Sequence, residues 1–247
     1  SFGYLNQNGL VEKNNYERFN ARINLATDIL SNLTVTTRLS GVYSTVNEPS
    51  VPGGPDVNDV TGIIQKAVRF PGLYATKLLN GNYGPGAKLQ GNPKSWVESA
   101  SFFQNPSFKL NANLRLDYSP LKDIKLSVIG GFNYQNDELK RFRSTLKLDG
   151  DRTLGPSSLT QEMLKTIYKT FQSTAEYNKS FNTHNLGILA GYSWEDQSYR
   201  NLSGSRDKFP GNDLPYMNAG SPDNQKANGG GYEWAIQSLF GRVKYNY

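Results

Sequence analysis

The sequence predicts an all-β, antiparallel fold of the transmembrane-barrel kind. Three observations predict it: long strands with unbroken alternation, connections that switch between short and long, and no apolar run of membrane-helix length. From Ser107 to Tyr118 the even positions are Phe108, Leu110, Ala112, Leu114, Leu116 and Tyr118, and the odd ones are Ser107, Lys109, Asn111, Asn113, Arg115 and Asp117. Successive side chains in a strand point to opposite faces, so one face is apolar and the other polar or charged. Phe108 and Tyr118 stand ten residues apart. At ~3.3 Å per residue and a tilt of about 40°, that distance projects to roughly 25 Å, the height of the apolar band of a membrane barrel. Ordinary globular strands have only about 5 to 6 residues.

The remaining elements follow in order. Ser1 to Gln7 reads as a strand end, with Asn8-Gly9 as turn chemistry behind it. Phe19, Ala21, Ile23, Leu25 and Ile29 share one face of the next strand, opposite Arg18, Asn20, Arg22, Asn24 and Asp28. A tight connection at Leu30-Ser31-Asn32 leads to Leu33, Val35, Thr37, Leu39, Gly41 and Tyr43. A long stretch, about 47–105, is then rich in Gly, Pro and Asn. Within it Val60, Ile63, Ile64, Ala67 and Val68 have the spacing of a helix face, with Asn58 or Asp59 as cap and Pro71-Gly72 as stop.

The Ser107 strand turns at Ser119-Pro120-Leu121 and returns through Ile124, Leu126, Val128, Gly130, Phe132 and Tyr134. A second irregular stretch, about 144–165, carries Ser158 and Gln161 at the spacing of a helix capping box. Phe171, Ala175, Tyr177 and Phe181 then share a face that Lys169 and Lys179 interrupt near its ends. Asn182-Thr183 turns the chain into Leu186, Ile188, Ala190, Tyr192 and Trp194, and a third long stretch, about 204–231, precedes a last strand from Tyr232. About eight strands result. Connections near residues 30, 119 and 182 are short while those near 75, 155 and 218 are long, which puts the long loops on one side, as in barrels with short periplasmic turns and long extracellular loops.

Composition fits and narrows this reading. The 247 residues are 36% hydrophobic with a mean hydropathy of −0.60, and no stretch approaches the ~20 apolar residues of a membrane helix. Barrel strands dilute each lipid-facing residue with a polar neighbour, so low hydropathy is compatible with a membrane wall. The absence of cysteine excludes disulfides and thiol catalysis, and His184 is the sole histidine. Beside a predicted turn, His184 reads as a solvated residue rather than a base, and no enzymatic activity, cofactor or metal is expected. The net charge of +6 is dispersed over polar faces and loops, and Lys140-Arg141-Phe142-Arg143 reads as a solvated strand end, so nucleic acid is not an expected partner. Asp56, Asn58 and Asp59 read as helix-capping residues rather than calcium ligands, and Gly81 to Lys88 lacks the ending of a phosphate loop. The chain opens at Ser1-Phe2-Gly3-Tyr4 without a signal-peptide pattern and stops in a strand-like run at Tyr245-Asn246-Tyr247, so it reads as an internal fragment.

Four segments together resemble the SusC/RagA group of TonB-dependent outer-membrane transporters of Bacteroidetes. They are Ser1 to Gln7 with Tyr16 to Asn24, His184 to Glu195, Phe209-Pro210-Gly211-Asn212-Asp213-Leu214, and Glu233 to Tyr247. The resemblance implies a barrel of about 22 strands around an N-terminal plug. It also implies energy coupling through the TonB complex, a SusD-like surface lipoprotein as partner, and glycan or oligopeptide cargo taken up across the cell outer membrane. On this reading residues 1–247 are a partial barrel domain contacting outer-membrane lipid, and the plug, signal peptide and C-terminal strands lie elsewhere. The alternatives are a soluble β-sandwich that binds carbohydrate and a passive porin.

Aromatic side chains supply large rigid contact area, so Tyr74, Tyr83, Trp96, Phe102, Phe103 and Tyr216, all read as loop residues, are the candidates for ligand or lipoprotein contact. Tyr192, Trp194 and Tyr199 are expected in the upper aromatic girdle instead.

Overall fold

The computed structural model describes residues 1–52, 59–84, 91–149 and 152–247. In chain order its elements are β1 (Phe2–Asn8), β2 (Asn15–Leu30), β3 (Leu33–Pro49), α1 (Asp59–Arg69), α2 (Pro93–Glu98), β4 (Phe102–Leu121), β5 (Ile124–Arg143), β6 (Leu146–Lys147), β7 (Thr153–Leu154), β8 (Ser158–Phe181), β9 (His184–Asp207) and β10 (Ser221–Asn246). Eight of them form one antiparallel sheet in the order β1-β2-β3-β4-β5-β8-β9-β10, while β6 and β7 pair with each other inside a loop. From β2 onward the strands of this sheet are 16 to 26 residues long. A sandwich of short strands around a dry core is therefore ruled out in favour of a single barrel-wall sheet.

The register sorts the side chains into two faces. Directly paired residues share a face, so Tyr4, Phe19, Tyr43 and Phe108 form one aromatic row across β1 to β4. Tyr4 and Phe19 lie 4.8 Å apart between ring centroids, and Tyr134 extends the row at 6.1 Å from Phe108. At the other end of the same face, Tyr118 pairs with Leu33 and Leu126. On β8 the band is bracketed by lysines, with Phe171, Ser173, Ala175 and Tyr177 between Lys169 and Lys179. Lys169 pairs with Asp196 at 3.3 Å and Lys179 with Asp123 at 3.0 Å. The two lysines are ten residues apart, as are Phe108 and Tyr118, so two independent rulers give the same height.

This apolar face is uncovered: Ile23, Leu25, Leu114, Phe171, Ile188 and Val243 are exposed. Water does not hold such a surface, since soluble monomers rarely expose a contiguous apolar patch beyond a few hundred Å². The opposite face carries Arg22, Asn24, Arg38, Asn111, Asn113, Asn133 and Thr170 around a shallow depression.

Several boundaries differ from the sequence reading. The hairpin after β4 turns at Lys122-Asp123, not at Ser119-Pro120-Leu121, with a register irregularity between Tyr118 and Leu121. Ser158 and Gln161 start no helix: both lie in β8, paired with Asp207 and Gly204. The irregular stretches expected over about 144–165 and 204–231 shrink to 144–157 and 208–220, because β8, β9 and β10 continue as paired strands beyond the apolar band. Tyr199 is not in the girdle with Tyr192 and Trp194; its odd position puts it on the polar face, stacked on Tyr232 at 5.1 Å. The expected helix is present as α1, whereas Asp56, Asn58 and the Asp59 side chain lie outside the described residues.

Candidate functional site at the long-loop end

All long connections, 50–101, 144–157 and 208–220, leave the sheet at one end, together with the shorter connection 9–14. They are folded rather than free. Helix α2 begins in a reciprocal cap: the Ser95 backbone N–H donates to Asn92 Oδ1 at 2.9 Å, the Asn92 backbone N–H donates to Ser95 Oγ at 3.2 Å, and Pro93 opens the first turn. Asn92 Nδ2 also donates to the carbonyls of Thr76 and Gly84. One buried amide thus fixes three points of the loop, which suits a side chain that costs free energy if left unsatisfied.

Below α2, Trp96, Ile63, Leu146 and Leu148 form a small core, with Val11, Val51, Tyr83, Val97 and Leu154 packed around it. A second core joins Phe142, Leu159 and Phe209, flanked by Phe102, Met217 and Ala219. Successive loops are fastened to one another. Lys13 Nζ donates to the Ser99 carbonyl, the Ser101 and Ser144 hydroxyls meet at 2.9 Å, and Tyr83 bridges Leu148. Thr145 and Asn212 exchange two hydrogen bonds, each of 3.0 Å.

An ionic cluster closes the surface of the first loop. Glu98 accepts from Tyr83 Oη at 2.7 Å and pairs with Lys77 at 2.9 Å and Lys94 at 3.5 Å. The hydrogen bond from Lys77, then that from Tyr83, hold the Glu98 carboxyl down at about 2. Burial, aided by the hydrogen bond to Glu98, pushes the Tyr83 phenol up to about 12.

The six candidate aromatics are not brought together. Trp96 is 7% exposed and Tyr83 is packed against the first core, so both build the loop. Tyr74 stays exposed and touches Phe70 at 5.9 Å. Phe102 and Phe103 belong to β4 rather than to a loop, on opposite faces: Phe102 packs on Phe142, and Phe103 lies under the Arg141 guanidinium at 5.0 Å. Tyr216 is 65% exposed, with Lys140 Nζ 5.0 Å from its ring centre. Lys140 and Phe102 share the face of the aromatic row, so Tyr216 lies over the outside of the wall.

Phe103 instead lines a cleft of about 300 Å³ high on the polar face, with Leu139, Arg141, Arg143, Thr160 and Glu162. Sequence reading missed this cleft, since the run from Lys140 to Arg143 reads as a solvated strand end; the register is what sets Phe103 beside Arg141 and Thr160. Asn212 was visible as part of Phe209 to Leu214, and the structure supplies its role as a clasp between loops.

No family model matches the chain. Among curated proteins it is 29% identical to "TonB-dependent receptor P3" of Formosa agariphila over the whole of this chain and 25% of that receptor. It is 27% identical to "TonB-dependent receptor P39" of the same organism, over 99% of this chain and 23% of that receptor. The chain therefore spans about a quarter of the length of the curated relatives it matches. Among solved structures, the RagAB peptide importer in its closed-closed state matches all of this chain and 28% of its own, with a TM-score of 0.78 at 21% identity. The same importer in its open-open state matches equally well, at 20% identity. Sequence and fold agree with the resemblance: over its whole length the chain is similar to about a quarter of two TonB-dependent receptors, and it shares the fold of a stretch of the RagAB importer.

Proposed function

We propose that the chain forms part of the barrel of a TonB-dependent importer in the cell outer membrane, taking up glycans or oligopeptides with a SusD-like lipoprotein. The observation that carries this reading is the uncovered apolar face, ten residues tall between aromatic or lysine markers on two separate strands. The polar face would line the passage, and the Phe103 cleft would offer cargo an aromatic ring and a guanidinium together. Tyr74, exposed at the long-loop end, would contact cargo or the lipoprotein, Tyr216, over the outer side of the wall, would contact the lipoprotein rather than cargo, and Tyr83, Trp96 and Phe102 would act as scaffold. Residues 1–247 are then a partial barrel domain, and the plug and the TonB-contacting segment belong to parts of such a receptor outside the matched quarter. The named relatives support import, and RagAB, called a peptide importer, supports the peptide branch of the cargo class.

The test uses the full-length receptor. Outer-membrane fractionation and heat-modifiable migration in detergent are expected, with co-purification of a SusD-like lipoprotein. A soluble periplasmic receptor would overturn the membrane reading. Uptake that continues unchanged when TonB is deleted would point to a passive porin instead.

A further inference from the structure

On the apolar face, cations gather on one side of the band and in one sector. In register the aromatic row continues from Phe108 through Asn136 to Lys165 and Arg200; on the same face Lys140 and Arg206 lie nearer the long loops, with Glu138 between Lys140 and the row, and Lys169 lies nearer the short turns, opposite Phe132. At the short-turn end, Lys179 on β8 is already paired with Asp123 at 3.0 Å. Over β1 to β3 the same row holds Tyr4, Phe19 and Tyr43, and the positions above it hold Asn6, Glu17 and Thr45, with no cation. The charge is thus local rather than a uniform coat.

Lys165 and Arg200 are direct cross-strand partners. Like charges placed opposite each other in a ladder destabilise the pair. Arg200 is relieved by Glu233 at 3.3 Å, with 75% of its side chain still exposed. Lys165 has no carboxylate partner among the described residues; its ammonium lies 5.5 Å from the centre of the Tyr134 ring, which is 6.1 Å from Phe108 of the aromatic row. Lys140 likewise lies over Phe102 and Tyr216. Ammonium groups laid along aromatic rings at the upper rim of an apolar band stand where the acyl chains end and the headgroups begin.

We propose that Lys165 and Arg200 bind the phosphate of an anionic lipid headgroup in the leaflet on the long-loop side. The inference rests on the membrane-wall reading of the apolar face. A phosphate oxygen between the two cations removes their mutual repulsion and accepts charge-assisted hydrogen bonds from both. Lys169, paired with Asp196 at 3.3 Å, marks the lower edge of the site.

The experiment inserts the full receptor into phosphatidylcholine nanodiscs containing either phosphorylated or dephosphorylated lipid A, and measures retained lipid A by native mass spectrometry. Wild type is expected to retain the phosphorylated form preferentially. Lys165→Gln is expected to weaken retention roughly five-fold, the factor that ~1 kcal/mol per basic residue near an anionic surface corresponds to. Arg200→Gln should weaken it similarly, and Lys165→Arg should restore it. Heat-modifiable migration of each variant checks that the barrel is folded. Inorganic phosphate added in solution should not displace the lipid. Equal retention of both lipid forms, unchanged retention in the two glutamine variants, or complete displacement by free phosphate would each overturn the proposal while leaving the membrane reading intact. Failure of the receptor to insert into any nanodisc would overturn both.

Discussion

The wall and the loop platform keep their apolar residues in opposite places. Every buried hydrophobic side chain among the described residues, Ile63, Trp96, Phe142, Leu146, Leu148, Leu159 and Phe209, lies in the long loops or where the strands meet them. Along the band between Phe108 and Tyr118, Phe108, Leu114, Leu116 and Tyr118 are exposed instead. The platform is thus built by water-soluble rules, with small cores, caps and satisfied amides. The wall turns its apolar residues outward, and its backbone ladder rather than side-chain packing holds it together.

This contrast can be broken from either side. Trp96→Ala removes the largest side chain of the first loop core and should cost about 3–5 kcal/mol locally. Proteolysis within residues 59–101 should accelerate sharply while heat-modifiable migration persists; simultaneous loss of both would show that wall and platform fold as one unit. Leu114→Arg places a charge near mid-band and should destabilise the wall by about 2–4 kcal/mol in a bilayer, whereas Asn113→Arg on the polar face should change little. Unfolding of the two variants from lipid vesicles compares them, and equal effects would mean the faces are misassigned.

Asn212→Ala leaves the Thr145 N–H and carbonyl without their partners, at about 1–3 kcal/mol. Hydrogen exchange should rise in 144–157 and 208–220 together, and a rise in only one of them would remove the clasp. The smallest effect concerns pH. Glu98 has its carboxyl lowered from 4.5 to about 2, so its contribution to the loop is complete above about 4.5 and fades as pH falls through about 2. Tyr83, raised from 10.0 to about 12, contributes fully below 10 and loses that contribution as pH rises through 12. Loop protection should therefore be flat between those limits, and Glu98→Gln should abolish the acid limb.

The sequence showed the wall best where one face is apolar and the other polar. Phe108 to Tyr118, the helix α1 and the short-long order of connections all follow from patterns of period two or 3.6. Legibility failed where strands leave the band. The stretch from Ser221 to Gly231 is polar on both sides and ends in three glycines, yet Lys226 to Gly231 pair with β9, because a ladder needs only backbone groups. The same loss of contrast hid the start of β8 at Ser158 and placed Phe102 and Phe103 in a loop. Helix α2 was missed although Asn92, Pro93 and Ser95 spell its cap; six residues show no helical period. The Phe103 cleft depends on register between strands distant in sequence, which no local pattern carries.

The clasp between Thr145 and Asn212 is one of a chain of fastenings that runs from Lys13 through Ser99, Ser101 and Ser144 to Phe209, whose backbone N–H donates to Ser157 Oγ at 2.9 Å. Four connections joined edge to edge behave mechanically as a plate rather than as four separate fingers. A load applied at one rim, by cargo or by a protein seated on top, would be shared across the whole width of the sheet, so stiffness at this end is a collective property that no single loop owns.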